Sequence, residues 1–349
     1  MLPTRLRTTA AALMLAALGL VGVSAGPAAA ADDDTPWSVK TASNSFGADR
    51  QNYGYTLNPG GALEDGITVA NRGTTPLDLA VYGADAFTTD AGRLDLVAQD
   101  APSTGVGAWV HAARSHVTIQ PGKSVDVPFT VTLPKDAKPG DYMGGIVTSL
   151  TRPDANGVDV DRRLAIRIRL RVGGALNPSL AVEDLHVDYS NTFNPFAKGD
   201  ASLTYTIHNT GNAIVAARQA ATVSGPFGSL RAQAAKMADT PELLPGEKWK
   251  VSVPVHGVAP ALRLAGTVTL TPLVTDASGS ITSLAPVGTT SHALAIPWAL
   301  LLLILVPCGL VIVLIRVLRR ALRKLEKSEL APIDDPIERM LREPETSDR

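Results

Sequence analysis

Four arginines have the type and spacing to act together. Arg163, Arg167, Arg169 and Arg171 fall on the opposite face from Leu164, Ile166, Ile168, Leu170 and Val172. On a strand, Arg167, Arg169 and Arg171 project in one direction at intervals of about 6.6 Å. Guanidinium groups at that interval form forked hydrogen bonds with carboxylates of peptide stems or phosphates of wall polymers. Two competing readings stand beside this one: a solvated face that blunts strand aggregation, and a row paired with acids on an adjacent strand. Tyr142 joins the three as a glycan-binding candidate. It lies in Pro139-Gly-Asp-Tyr142-Met-Gly-Gly-Ile146, where the glycines permit close approach by a ligand or by a neighbouring strand.

Reactive chemistry is not visible elsewhere. The sequence has no Gly-x-Ser-x-Gly elbow, no His-Glu-x-x-His, no Ser-x-x-Lys and no phosphate-cradling glycine loop. Its six histidines are scattered, and Asp154, Asp159 and Asp161 flank a turn without calcium-loop spacing. Cys308 is the single cysteine, so neither an intrachain disulfide nor a Cys-based zinc site is available. The reading is a non-enzyme without cofactor or metal. With 32 Lys and Arg against 33 Asp and Glu, no net field draws the chain onto nucleic acid.

The elements that would carry the arginines are strands. Val125, Val127, Phe129, Val131 and Leu133 alternate with polar neighbours, as do Leu77, Leu79 and Val81. Asn156-Gly157 marks a tight antiparallel turn ahead of the arginine strand. The short Ala-rich piece from Leu230 to Ala238 is the best helical candidate in this region. A duplication divides it. Asn71-x-Gly73 and Pro121-Gly122 recur as Asn209-x-Gly211 and Pro245-Gly246, each between strand-like runs. The expected fold is all-β, with immunoglobulin-like sandwiches at residues 36–173 and 176–290 and a hinge at Gly173 to Pro178. Trp109 is expected in the core of the first.

Two apolar segments set the compartment. Arg5 and Arg7 precede an apolar run from Ala10 to Val23 and an alanine-rich exit, the pattern of a signal peptide over residues 1–31 cut after Ala30 or Ala31. Ala293 to Ile315 carries no charge and is long enough for a transmembrane helix at 293–315, with Pro307 as a kink position. Arg316, Arg319, Arg320, Arg323, Lys324 and Lys327 follow, which puts residues 316–349 in the cytoplasm and the β-domains outside the plasma membrane.

The first domain resembles the WxL-interacting protein family of Gram-positive surfaces. The likeness runs through Tyr55-Thr-Leu-Asn-Pro59-Gly60, Asn71, Asp85-Ala86, Trp109, Pro121-Gly122, Pro134 and Pro139 to Ile146. It implies a peptidoglycan-binding first domain and, in family members, a second domain contacting host or partner proteins. The expected function is a membrane-anchored surface protein that binds cell-wall peptidoglycan or an associated anionic polymer. The alternative is a scaffold that docks a secreted surface protein through strand edges.

Overall fold

The computed structural model describes residues 35–153, 156–190, 194, 197–275, 280–296 and 298–329. The signal-peptide reading and the tail beyond residue 329 lie outside the described residues. The first half builds β1 (Trp37–Thr41), β2 (Tyr53–Leu57), β3 (Ala62–Asn71), β4 (Leu77–Thr88), β5 (Leu94–Leu96), a one-turn helix α1 (Val106–Trp109), β6 (Val110–Ala112), β7 (His116–Ile119), β8 (Ser124–Thr132), β9 (Gly140–Pro153) and β10 (Asp159–Val172). One sheet has the order β1-β3-β8-β6; the other has β2-β10-β9-β4-β5, with β7 also on β4. In immunoglobulin lettering these are A-B-E-D facing G-F-C, and β2 adds a parallel partner to β10.

The second half repeats the plan with β11 (Leu180–Ser190), β12 (Gly199–Asn209), β13 (Ala216–Ser224), β14 (Ala232–Gln233), β15 (Lys248–Val258), β16 (Leu264–Thr275), β17 (Ile281–Ser283) and β18 (Val287–Ala293). Its sheets are β11-β12-β15 and β14-β13-β16-β17, with β18 also on β16. The molecule is thus all-β, two immunoglobulin-like sandwiches followed by one apolar helix, α2 (Trp298–Glu329).

Alternation in the sequence becomes burial in the sheets. Val127, Phe129, Val131 and Leu133 are all buried in one layer, and Ile168, Leu170 and Val172 in the other. Trp37 crosses between layers, its indole N–H donating to Thr148 Oγ1 at 2.8 Å. Trp109 is buried as expected, but on α1 rather than on a strand. Gly144 is what admits that helical turn: a side chain there would collide with Val106. The Leu230 to Ala238 piece is extended, not helical. Ala232, Ala234 and Met237 pack on the second core from an edge, so alternating contact prevails over alanine's helix propensity.

The repeated Asn-x-Gly has one structural cause. Asn71 Nδ2 donates to the carbonyls of Thr75 and Ile119, both at 2.8 Å, while its Oδ1 accepts from the Gly73 amide. Asn209 does the same with Ala213, Leu243 and Gly211. Each asparagine ties its own turn to the strand entry two residues before Pro121 or Pro245. Replacing either by Ala removes two donated bonds and one accepted bond from a largely buried turn and is expected to cost about 2–4 kcal/mol. Urea unfolding of Asn71→Ala and Asn209→Ala checks this, with Asn209→Asp losing as much because a carboxylate cannot donate; a loss below ~1 kcal/mol would deny the role.

The end of the second domain differs from expectation. β18 continues through Ala293, and Ala295 is 1% exposed in the second core, so the sandwich runs past residue 290 and α2 cannot begin at 293. Among the described residues α2 is the one helix long and apolar enough to cross a bilayer, and it runs through Pro307. Its uncharged stretch, Trp298 to Ile315, covers about 27 Å. A bilayer's hydrocarbon core is about 30 Å thick, so this stretch is close to the length a span requires.

Candidate functional site

The predicted site residues do not form one surface. Tyr142 and Leu170 are register partners, whereas Arg169 pairs with Met143 and Arg171 with Asp141, so Tyr142 points to the other face of the sheet. Its ring packs edge-on against Trp109 at 4.7 Å and its hydroxyl donates to Lys138 O at 3.0 Å. Burial pushes the Tyr142 hydroxyl pKa up. Tyr142 is therefore a wall of the first core and stands apart from the arginines.

Arg171 is not free for a polymer either. It makes a fork to Asp141, Nε to Oδ1 at 2.6 Å and Nη2 to Oδ2 at 3.0 Å. Asp141 is 1% exposed, and its Oδ2 also accepts the Ile214 amide of the second domain at 3.1 Å. The pairing with an adjacent-strand acid is the competing reading of the ladder, realised at this position. Arg169 reaches across as well, its Nη1 standing 3.6 Å from Glu242.

These contacts belong to a junction that fixes the two sandwiches together. Asp141 N–H donates to Asn212 O at 2.8 Å, and Asn212 Nδ2 donates to Pro139 O and Ala175 O, both at 3.0 Å. The Asn177 amide returns a bond to Asn212 Oδ1 at 2.6 Å. Glu247 accepts the Thr88 amide and hydroxyl at 2.7 and 2.6 Å, and Trp249 donates to Asp90 O at 3.1 Å. Met143, Ile214 and Leu244 close a small apolar core between them. Gly140 permits this approach: its φ is +155°, and a Cβ would stand 2.7 Å from Asn212 O. The segment from Gly173 to Pro178, expected as a hinge, is hydrogen-bonded on both sides: Gly173 N–H donates to Leu57 O, and Ala175 O and the Asn177 amide bond Asn212.

Two clefts flank the joint. One, of about 270 Å³, is lined by Asp85, Tyr142, Asn212 and Glu247 among others. Its Asp85 carboxylate is occupied, accepting the amides of Thr104, Gly105 and Gly107 at 2.7 to 2.9 Å. The other, of about 470 Å³, is lined by Asn52, Tyr53, Gly54, Met143, Arg167, Arg169 and Glu242. Here Arg167 is exposed, and Arg169 Nη2 is buried without a hydrogen-bond partner. Two guanidinium groups on one strand face, one with an unused donor, suit a forked contact to a carboxylate or phosphate. Among the described residues no group of three or more His, Cys, Asp or Glu side chains is placed to hold a metal ion.

A second ionic cluster links β2 and β3 of the first sandwich, and no spacing in the sequence pointed to it. Asp65 is 5% exposed and accepts from Arg50 Nη1 and Nη2 at 2.7 and 2.9 Å, Tyr55 hydroxyl at 2.6 Å, Asn44 Nδ2 at 2.6 Å and its neighbour Gly66 N–H at 2.7 Å. Arg50 also covers the Tyr53 ring at 5.1 Å. Burial raises the pKa of both tyrosines, which keeps their hydroxyls protonated as donors.

No family model matches the chain, and no curated protein matches it. Solved structures give distant likenesses. The class 5 fimbriae chaperone CfaA is 12% identical, with 72% of this chain and 100% of that one covered and a TM-score of 0.34. The chaperone YadV is 10% identical, covering 73% and 100% at a TM-score of 0.31. The E. coli chaperone DraB is 11% identical, covering 73% and 98% at 0.31. The strand order of each sandwich carries the fold assignment by itself.

Proposed function

We propose that the protein is a non-enzymatic, single-pass surface protein that binds cell-wall peptidoglycan or an associated anionic polymer in the cleft of Arg167 and Arg169. The observation that carries this reading is the buried, unpartnered Nη2 of Arg169 beside an exposed Arg167. A carboxylate or phosphate oxygen would complete that donor. The first-domain resemblance to the WxL-interacting protein family supports the same ligand class. Helix α2 would supply the anchor, and the cations from Arg316 onward support a cytoplasmic carboxyl end. The surface role follows from that orientation.

The test is binding of the full chain in detergent to isolated cell wall, before and after acid extraction of phosphate polymers. Arg167→Ala with Arg169→Ala removes two charge-assisted contacts, each worth about 1.5–3 kcal/mol, so affinity should fall at least tenfold. Unchanged affinity overturns the assignment of this cleft. Loss only after extraction identifies the phosphate polymer as ligand.

A protein-docking scaffold is the second reading, and one feature favours it. β9 pairs with β4 only as far as Ser149, and β10 pairs with β2 only from Ile168, so the hairpin beyond them is a two-stranded ribbon. Val158 and Val160 on it are 61% and 40% exposed. Such a ribbon offers an edge for strand addition. Crosslinking in intact cells separates the readings, since a dominant protein adduct that survives wall digestion favours the scaffold.

A further inference from the structure

The second sandwich has one end occupied by the joint and another that carries exposed apolar side chains. β18 and β16 are paired so that Ala293 faces Leu264, and β13 and β16 so that Ser224 faces Ala265. The end of β13, the start of β16 and the end of β18 therefore lie level. The loops leaving that level are residues 225–231 and 259–263. Leu230 Cδ1 and Ala261 Cβ stand 3.5 and 3.6 Å from where a side chain on Gly225 would begin, so the two loops touch.

These loops present large apolar groups to the outside. Phe227 is 108% exposed, Leu262 64% and Leu230 57%. Phe227 also has a φ of +57°, a left-handed backbone that a bulky residue rarely adopts, and its side chain gains no burial within the chain in return. The same end carries the exposed cations Arg231 and Arg263.

Chain length fixes what lies opposite. Ala295 is in the sandwich core and α2 starts at Trp298, so at most about 10 Å of chain separates the two. A bilayer that α2 enters at Trp298 begins within that distance of Ala295, just past the end of β18 and on the side from which the loops leave. We infer that the loops at Phe227 and Leu262 insert into the outer leaflet of that membrane, with Arg231 and Arg263 at the headgroup phosphates. Apolar side chains ringed by cations are the composition that an interfacial lipid contact requires. The inference rests on the reading of α2 as a membrane span.

Spin labelling of the full chain in vesicles of phosphatidylcholine and phosphatidylglycerol tests both together. Phe227→Cys and Leu262→Cys, each with Cys308→Ser, place a nitroxide in either loop. Ile281→Cys with the same background labels an exposed apolar site at the opposite end of the domain. The native Cys308 labels the helix itself. Collision with oxygen, relative to a water-soluble nickel chelate, should be several-fold higher at 227 and 262 than at 281, approaching the value at 308. If 227 and 262 match 281 while 308 is in lipid, the loop insertion is wrong and the span stands. If 308 also matches 281, the span falls and takes the loop insertion with it.

Discussion

Asp141→Ala is expected to uncouple the two sandwiches and to cost about 3–5 kcal/mol. The carboxylate is 1% exposed and supplies the fork to Arg171, which is 24% exposed. Its removal takes that fork from a largely buried guanidinium and the acceptor from the Ile214 amide. The Asn212 contacts then have to hold the joint with Glu247 and Trp249. Calorimetry should show one unfolding transition in the parent chain and two in the variant. Limited proteolysis should begin to cut between Gly173 and Pro178. Asp141→Asn keeps an acceptor for Ile214 and should fall between the two. A single transition at the parent temperature in Asp141→Ala would show that the joint does not depend on this carboxylate.

Asp65→Ala should destabilise the first sandwich by a similar amount, about 3–5 kcal/mol, because Arg50 would stay at a buried site without its counter-charge. Arg50 Nε already lacks a hydrogen-bond partner there. The pH dependence has a definite sign. Burial raises the Asp65 pKa, but bonds from Arg50, Tyr55, the Gly66 amide and Asn44 outweigh it and hold the carboxyl below the usual aspartate range. A depressed folded pKa means that the stabilisation is complete above the unfolded value and is lost as pH falls through the folded one. Urea unfolding from about pH 5 down to about pH 2 should show that loss in the parent. Asp65→Asn should flatten the acid limb, and an unchanged limb would assign the acid sensitivity to other carboxylates.

Much of this architecture is legible in the residues because burial on one face of a sheet imposes period two. The strands of the arginine ladder and of Val125 to Leu133 are found that way, while the duplication is read from its repeated Asn-x-Gly and Pro-Gly turns, whose asparagines perform one hydrogen-bonding task twice. The partner of Arg171 is not legible in this way. A two-residue turn at Asn156-Gly157 would set Tyr142 opposite Arg171, whereas the observed register, with Pro153 opposite Asp159, is shifted by one residue and brings Asp141 there. The remainder depends on contacts without period. Arg50 and Asp65 meet through an irregular loop, and Glu242 and Glu247 act across the joint between separately folded sandwiches. α1 escapes because a single turn is too short to show helical periodicity. The Leu230 to Ala238 piece, the best helical candidate in its region, is extended because edge packing outweighs propensity.

On the proposed reading of α2 as a span, the burial of Ala295 gives the molecule a set reach. With so little chain between the second sandwich and α2, and with the hydrogen-bonded joint above, the protein would stand as a post instead of swinging on a leash. The 12 residues of β16 span about 40 Å, so the arginine cleft at the joint would sit roughly that far above the lipid surface. A polymer strand would be sampled only in a thin layer at that height, and lengthening the connection after Ala295 would shift the layer outward and blur it.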